Sequence, residues 1–229
     1  TCKEYTRHGI PAWPTDPNGL DYISGINHYY RTLAQRFDLP QRGTTTISRI
    51  AMNITNSRFE PIEGGATQQF ELPFSFKIYG ADEQGNIDEG NLLGQTSAPM
   101  EDFFPIAGMG SAEWNYMDLQ TPVNCSGTIY VVVDLSEDLH VDVSDPRIGR
   151  TFLSFGMMQG RHRQTTFFTK PYNVPEGSGM TSGHWYPIDA FDSQYAGIGL
   201  NMQLYVDYNG ISSDICESIL DPGSAIGID

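Results

Sequence analysis

The feature that most constrains this fold is a period of two in the apolar side chains of short segments. In Pro73–Tyr79, the side chains of Phe74, Phe76 and Ile78 are separated by single polar residues. This alternation predicts a β-strand with one buried and one solvent-exposed face. An acidic turn and a return segment at Leu92–Gly94 complete a hairpin, which cannot bury its apolar face alone. The rest of the chain must therefore supply a covering sheet.

Similar alternation recurs along most of the chain. Further strands are predicted at Leu33–Leu39, Thr44–Asn56, Glu113–Leu119, Thr128–Leu135, Thr151–Met158, His184–Ile188 and Ile198–Tyr208. Thr128–Leu135 is apolar on both faces, which predicts a central strand, whereas Pro40 directly after Leu33–Leu39 predicts an edge strand. About eight to ten short strands joined by turns predict an all-β fold, an antiparallel β-sandwich of the jelly-roll type.

The length of the chain, 229 residues, is enough for one large all-β domain with a sizeable core. We predict that this domain covers residues 30–210. Residues 1–29 form an extended lead-in that contains several prolines, and residues 211–229 form a linker-like acidic tail.

The formal net charge of −15 limits the partners that this protein can have. Nucleic acid is excluded as a partner, because protein and phosphate backbone would repel each other. The charge suits a secreted or cell-surface protein, or one that holds cations on acidic loops. The sequence lacks an apolar run of about 18 residues, so no transmembrane segment is predicted.

Three cysteines, Cys2, Cys125 and Cys216, are too few and too scattered for a disulfide scaffold or a zinc site. Three alternatives stay open for them. Cys2 and Cys216 could form one bridge between the two ends of the chain, Cys2 could carry a lipid anchor, or all three could be free thiols.

Several segments together resemble a known group of domains. They are Ala34–Pro40, Ile47–Ile50, Phe76–Tyr79 with its following acidic loop and Leu92–Gly94, Ile129–Leu135 and Leu200–Tyr208. Their order is similar to that of the jelly-roll accessory domains of secreted Bacteroidetes proteins, such as the cleaved-adhesin domains beside gingipain-type proteases. The resemblance covers roughly residues 30–210 and implies a non-catalytic extracellular module for adhesion or glycan binding, sometimes with calcium. The chain departs from the pattern in longer loops at 57–71 and 142–185, so no ligand site is carried over.

The acidic loop 82–89 is a candidate calcium site. Oxygen-bearing side chains alternate at Asp82, Gln84, Asn86 and Asp88 around Gly85. Calcium takes six to eight oxygen ligands, which short loops of this kind supply. The loop lacks the bidentate glutamate of an EF-hand, and the alternative is a solvated hairpin turn in which these residues only satisfy turn geometry.

Aromatic side chains are the second candidate site, since sugars stack on flat rings while nearby polar groups bind their hydroxyls. The glycan-binding candidates are Trp13, Tyr172, Asn173, Trp185, Tyr186, Arg161 and Arg163. Packing of the large aromatic rings in the core is the competing interpretation. For the two arginines, the alternative is that they balance nearby acidic groups.

A catalytic constellation is not evident in the sequence. Glu113 or Glu101 with Asp102 or Asp118 could form a glycosidase carboxylate pair, but the sequence does not give their separation. We therefore expect a non-catalytic extracellular module that binds a glycan or glycoprotein. The alternative is a structural spacer or assembly domain of a larger surface protein, and a glycoside hydrolase is a third hypothesis.

Overall fold

The computed structural model of the protein describes residues 24–26, 30–41, 43–56, 73–99, 113–135, 153–159, 166–172, 174, 177, 179–191 and 193–209. Thirteen β-strands and two short 3₁₀ helices, Ile188–Ala190 and Ser193–Tyr195, form within these residues. The strands are β1 (Gly25–Ile26), β2 (Tyr30–Asp38), β3 (Thr44–Asn56), β4 (Pro73–Ala81), β5 (Ile87–Pro99), β6 (Glu113–Cys125), β7 (Thr128–Leu135), β8 (Leu153–Phe155), β9 (Met157–Gln159), β10 (Phe168–Pro171), β11 (Tyr186–Pro187), β12 (Ile198–Leu200) and β13 (Met202–Asn209).

Eleven of the strands form two antiparallel sheets that pack against each other, and β12 and β9 form a separate two-stranded antiparallel sheet. This arrangement confirms the predicted all-β antiparallel sandwich. The jelly-roll connectivity stays a prediction. In the part of the chain that the structure describes, no helix has the length and hydropathy needed to cross a bilayer. β1 lies within the predicted N-terminal lead-in and pairs with β8.

Sheet II has the strand order β11-β10-β2-β7-β4-β5. β7 lies between β2 and β4, which confirms Thr128–Leu135 as a central strand. The prediction that Leu33–Leu39 forms an edge strand is wrong, because β2 pairs with both β7 and β10. Pro40 lies beyond the end of β2 and therefore removes no hydrogen bond from the ladder. β10 was not predicted, since it is short and contains Pro171.

Sheet I has the order β1-β8-β3-β13, with β6 paired to β3 on the side opposite β13. Opposite β13, the register of β3 shifts between Ile47 and Arg49, so that Ser48 is an extra residue. This β-bulge allows Ile47 and Ile50 to face the core together although they are three positions apart. β6 continues to Cys125, beyond the predicted strand Glu113–Leu119.

The core lies between the inner faces of the two sheets. Phe74, Phe76 and Ile78 of β4 are fully buried there, which confirms the predicted inner face of this strand. The buried Gln35 of β2 accepts the backbone N–H of Leu200 on its side-chain oxygen at 2.7 Å. This hydrogen bond connects sheet II to the β12–β9 pair through the interior.

Two predicted strands, Thr151–Met158 and Ile198–Tyr208, are each interrupted by one residue. Gly156 separates β8 from β9, and Asn201 separates β12 from β13. The N–H of Asn53 donates to the oxygen of Asn201 at 2.9 Å, that of Asn201 to Gly156 at 2.7 Å, and that of Gly156 to Asn53 at 2.8 Å. These hydrogen bonds form a three-strand junction, which satisfies backbone N–H groups where β3 meets the two interrupted strands.

Candidate functional site

The predicted calcium loop is a tight turn between β4 and β5. The Asp82 carboxylate accepts the backbone N–H of Asn86 at 2.7 Å and that of Gln84 at 3.0 Å, and the Asn86 side-chain amide at 3.2 Å. The backbone N–H of Asn86 is the main cause of a lowered pKa for Asp82. β5 begins at Ile87, so Asp88 belongs to a strand and not to the predicted loop.

N–H groups of the turn therefore already donate hydrogen bonds to the Asp82 carboxylate, which was predicted to bind calcium. Asp88 likewise accepts a backbone N–H, from Gly90 at 3.0 Å. Among the described residues, no group of three or more His, Cys, Asp or Glu side chains is placed to hold a metal ion. Calcium binding at Asp82, Gln84, Asn86 and Asp88 stays a prediction.

The β4–β5 hairpin folds over the outer face of sheet II. Ala34, Tyr130 and Val132 point to this face and are nonetheless buried. The Tyr130 hydroxyl donates to the Gly85 oxygen in the hairpin turn at 2.6 Å. The half-buried residues Tyr79, Ala81, Ile87, Phe168 and Trp185 pack around the three buried ones. The chain itself thus closes the middle of this outer face.

A contact that we call the latch holds the hairpin to the opposite edge of sheet II. The Glu89 carboxylate accepts hydrogen bonds from the Lys170 ammonium at 2.6 Å and from the Trp185 indole N–H at 2.7 Å. The Lys170 nitrogen also lies 5.5 Å from the centre of the Trp185 ring. Partial burial opposes ionisation of Glu89, but these two donors outweigh it and lower its pKa.

The structure brings three of the predicted glycan-binding residues to the β10–β11 edge of sheet II. Tyr172 is 48% exposed, and the Arg31 guanidinium lies 4.3 Å from the centre of its ring. Trp185 belongs to the latch, and the Tyr186 hydroxyl accepts the backbone N–H of Thr181 at 2.9 Å. The other four candidates, Trp13, Asn173, Arg161 and Arg163, lie outside the described residues.

A second group of aromatic side chains, the exposed Tyr116 and the half-buried Tyr205, lies on the outer face of sheet I. Across β13, β3 and β6, the register aligns Tyr205 with Arg49 and Arg49 with Asp118. Tyr116 is one position further along the outer face of β6, aligned with Ala51. We call Arg49, Tyr116, Asp118 and Tyr205 the tyrosine patch. Their strand neighbours Ile50, Met117 and Leu204 face the core, which fixes the patch on the outside.

Charged and aromatic contacts hold the tyrosine patch together. The Arg49 guanidinium donates to both oxygens of Asp118, at 2.6 and 3.1 Å. It also lies 5.8 Å from the Tyr116 ring centre and 5.4 Å from that of Tyr205. The hydrogen bond between the two charged groups raises the pKa of Arg49 and lowers that of Asp118, so both stay ionised at neutral pH. The tyrosine rings are therefore held around one fixed ion pair.

The tyrosine patch combines an exposed aromatic ring with exposed hydrogen-bonding groups. Tyr116 is 45% exposed, and 70% of the Asp118 side chain is exposed. The alternation of Tyr116 and Asp118 within the predicted strand Glu113–Leu119 does not by itself identify a site. The available signal was that aromatic residues, Tyr116 and Tyr205, occupy outer positions of strands where polar residues are usual.

A groove of about 420 Å³ lies between the β4–β5 hairpin and the β6–β7 turn. Asp82, Glu83 and Asn91 line one side, and Cys125 and Thr128 line the other. The free Cys125 thiol is half-buried, and burial raises its pKa to about 11. The thiol is therefore protonated at neutral pH and unsuited to act as a nucleophile.

The fold and its surface define an all-β protein of the antiparallel sandwich class with an aromatic, charge-paired outer face. Comparison with known proteins finds no matching family model, no matching curated protein and no matching solved structure.

Proposed function

We propose that this protein is a non-catalytic extracellular module that binds a glycan or glycoprotein through the tyrosine patch. The observation that carries the proposal is the exposed Tyr116 ring beside the exposed Arg49–Asp118 pair. An aromatic face stacks on the C–H groups of a sugar ring, and a few placed polar groups then fix its orientation. The ion pair supplies both N–H donors and carboxylate acceptors for sugar hydroxyls.

The contrast between the two outer faces supports this choice of face. The middle of the sheet II outer face is closed by the hairpin and the latch, with Ala34, Tyr130 and Val132 buried beneath them. On sheet I, by contrast, Tyr116 and Asp118 are both exposed at their strand positions. A ligand therefore reaches rings and hydrogen-bonding groups on sheet I without displacing any part of the hairpin.

The environment of Asp118 supports binding in preference to glycoside hydrolysis at this face. A general acid in a glycosidase needs a raised pKa, which burial among apolar groups provides. Asp118 is exposed, and Arg49 shifts its pKa in the opposite direction. This carboxylate is consequently suited to accept hydrogen bonds and not to donate a proton.

The proposal is tested by screening the purified protein on a glycan array and measuring the affinity of the hits by calorimetry. Tyr116→Ala is expected to weaken binding at least tenfold, because it removes the stacking surface. Tyr172→Ala and Leu92→Ala remove the two other exposed large hydrophobic side chains among the described residues, away from the patch, and are expected to bind normally. Loss of binding in Tyr172→Ala alone would move the site to the β10–β11 edge, and an array without hits would contradict the proposal.

A further inference from the structure

The geometry of the tyrosine patch points to a particular class of ligand. Resting on the proposed function, we infer that the patch selects neutral, soluble glycan chains. It discriminates against flat crystalline polysaccharide and against polyanionic glycans. Two independent features carry this inference, namely the angle between the tyrosine rings and the balance of charge around Arg49.

The two rings cannot form a flat platform. The planes of Tyr116 and Tyr205 are 81° apart, and their centres are 6.0 Å apart. A crystalline polysaccharide presents a plane, which can lie against the face of only one ring in such a pair. One sugar ring of a soluble chain can instead stack on Tyr116 while its edge meets Tyr205, since an edge-to-face pair forms a corner. The patch therefore fits one chain at a time.

The charged groups of the patch disfavour an anionic ligand. Both carboxylate oxygens of Asp118 are held by Arg49, so the guanidinium is already neutralised by a bidentate partner. The Asp118 side chain is 70% exposed and that of Arg49 is 38% exposed, so an incoming ligand meets more carboxylate than guanidinium. The net charge of −15 adds repulsion at longer range. The neutral hydroxyl groups of a sugar are repelled neither by Asp118 nor by the net charge, and they can form hydrogen bonds with both Arg49 and Asp118.

The ligand class is tested with three sets of probes on the intact protein. The neutral soluble probes are cellohexaose, xylohexaose, mannohexaose and chitohexaose, measured by calorimetry. The flat probes are microcrystalline cellulose and crystalline chitin, measured by pull-down, and the polyanions are heparin and polygalacturonate. We expect at least one neutral hexasaccharide to bind ten times more tightly than either polyanion, and no retention on either crystalline solid.

The variant Asp118→Asn separates a role of Asp118 in selecting the ligand from a purely structural role, because only the first predicts a change in heparin affinity. The variant frees the Arg49 cation while keeping the shape of the side chain, so heparin affinity is expected to rise severalfold as neutral binding falls. Glu83→Gln makes the same change of net charge in the β4–β5 turn, away from the patch, and is expected to leave both affinities unchanged. Circular dichroism confirms that each variant is folded.

The possible results separate this inference from the function on which it rests. Tighter binding of a polyanion, or Tyr116-dependent retention on a crystalline solid, would overturn the ligand class while keeping the patch as a binding site. Unchanged heparin affinity in Asp118→Asn would overturn the argument from charge. Failure of all three probe sets to bind would overturn the proposed function itself.

Discussion

The indole N–H of Trp185 donates to the carboxylate of Glu89 at 2.7 Å, across 96 positions of sequence. This hydrogen bond connects the beginning of strand β5 to the far edge of the same sheet. The hairpin must cross the outer face of sheet II to make it, and in doing so it covers Tyr130 and Val132. One of the contacts that close this face therefore depends on the ionisation of one carboxyl group.

The latch is expected to weaken in acid. The pKa of Glu89 is lower in the folded protein than its ordinary value of 4.5, so its stabilising effect is complete above that pH and is lost as the pH falls through the folded pKa. Glu89→Gln should reduce the free energy of unfolding by about 1 kcal/mol at pH 7, since the pair is partly exposed. Urea unfolding of both proteins from pH 7 to pH 3 measures the difference, which should shrink below pH 4.5.

Glu83→Gln is the matched control for the latch, because Glu83 is an exposed glutamate in the adjoining turn. It should show the wild-type dependence on pH. A constant difference between wild type and Glu89→Gln over the whole range would mean that ionisation of Glu89 does not hold the hairpin.

Asp82→Ala is expected to lower the midpoint of thermal unfolding in buffer that contains EDTA. The variant removes the acceptor of three hydrogen bonds within the β4–β5 turn. Asp88→Ala removes the acceptor of a hydrogen bond from Gly90 and should have a smaller effect. Scanning calorimetry measures both midpoints.

Scanning calorimetry with and without millimolar calcium also tests the predicted metal site. A rise of the wild-type midpoint in calcium that Asp82→Ala abolishes would establish calcium binding.

Gly156→Ala is expected to destabilise the protein by about 1–3 kcal/mol, because the new methyl group overlaps the side-chain oxygen of Asn53 at the three-strand junction. Denaturant unfolding measures the loss. Gly90→Ala is the control, since its nearest neighbour is the end of the flexible Asp88 side chain, and it should change stability by less than about 0.5 kcal/mol. Asn53→Ala should partly relieve the cost of Gly156→Ala. Additive effects in the double variant would contradict the overlap.

Cys125 is expected to react slowly with iodoacetamide in the folded protein. Burial raises its pKa to about 11, compared with an ordinary value of 9.0. The reactive thiolate is then about 100-fold less abundant at pH 8 than in an unperturbed cysteine. Peptide mass spectrometry after timed labelling measures the rate at Cys125 in native and urea-unfolded protein. Equal rates in the two states would show that burial does not protect the thiol.

Much of the sandwich could be predicted from the sequence because its strands have one apolar face. Thr44–Asn56 was predicted with the bounds that β3 has, and the inner face of β4 and the central position of β7 were also predicted correctly. Alternation reports which residues are buried, but not how strands pair. It therefore could not distinguish an edge from an interior position for β2, and it could not detect the one-residue breaks at Gly156 and Asn201.

The candidate site could not be predicted because it arises from register between distant strands. Arg49, Asp118 and Tyr205 belong to β3, β6 and β13, and only the pairing of these strands places them in one row. Sequence reasoning favoured aromatic residues in proline- and glycine-rich segments, which led to Tyr172 and Trp13. Tyr172 is exposed, whereas Trp13 lies outside the described residues.

Because the outer face of sheet II is closed, the two outer faces of the sandwich differ in what they expose to a ligand. A fluorophore, an immobilisation tag or a neighbouring surface attached at the exposed Gln84 in the β4–β5 turn would occupy the side opposite Tyr116. The protein could thus be anchored through its hairpin in a defined orientation, with the tyrosine patch directed away from the support and accessible to ligand.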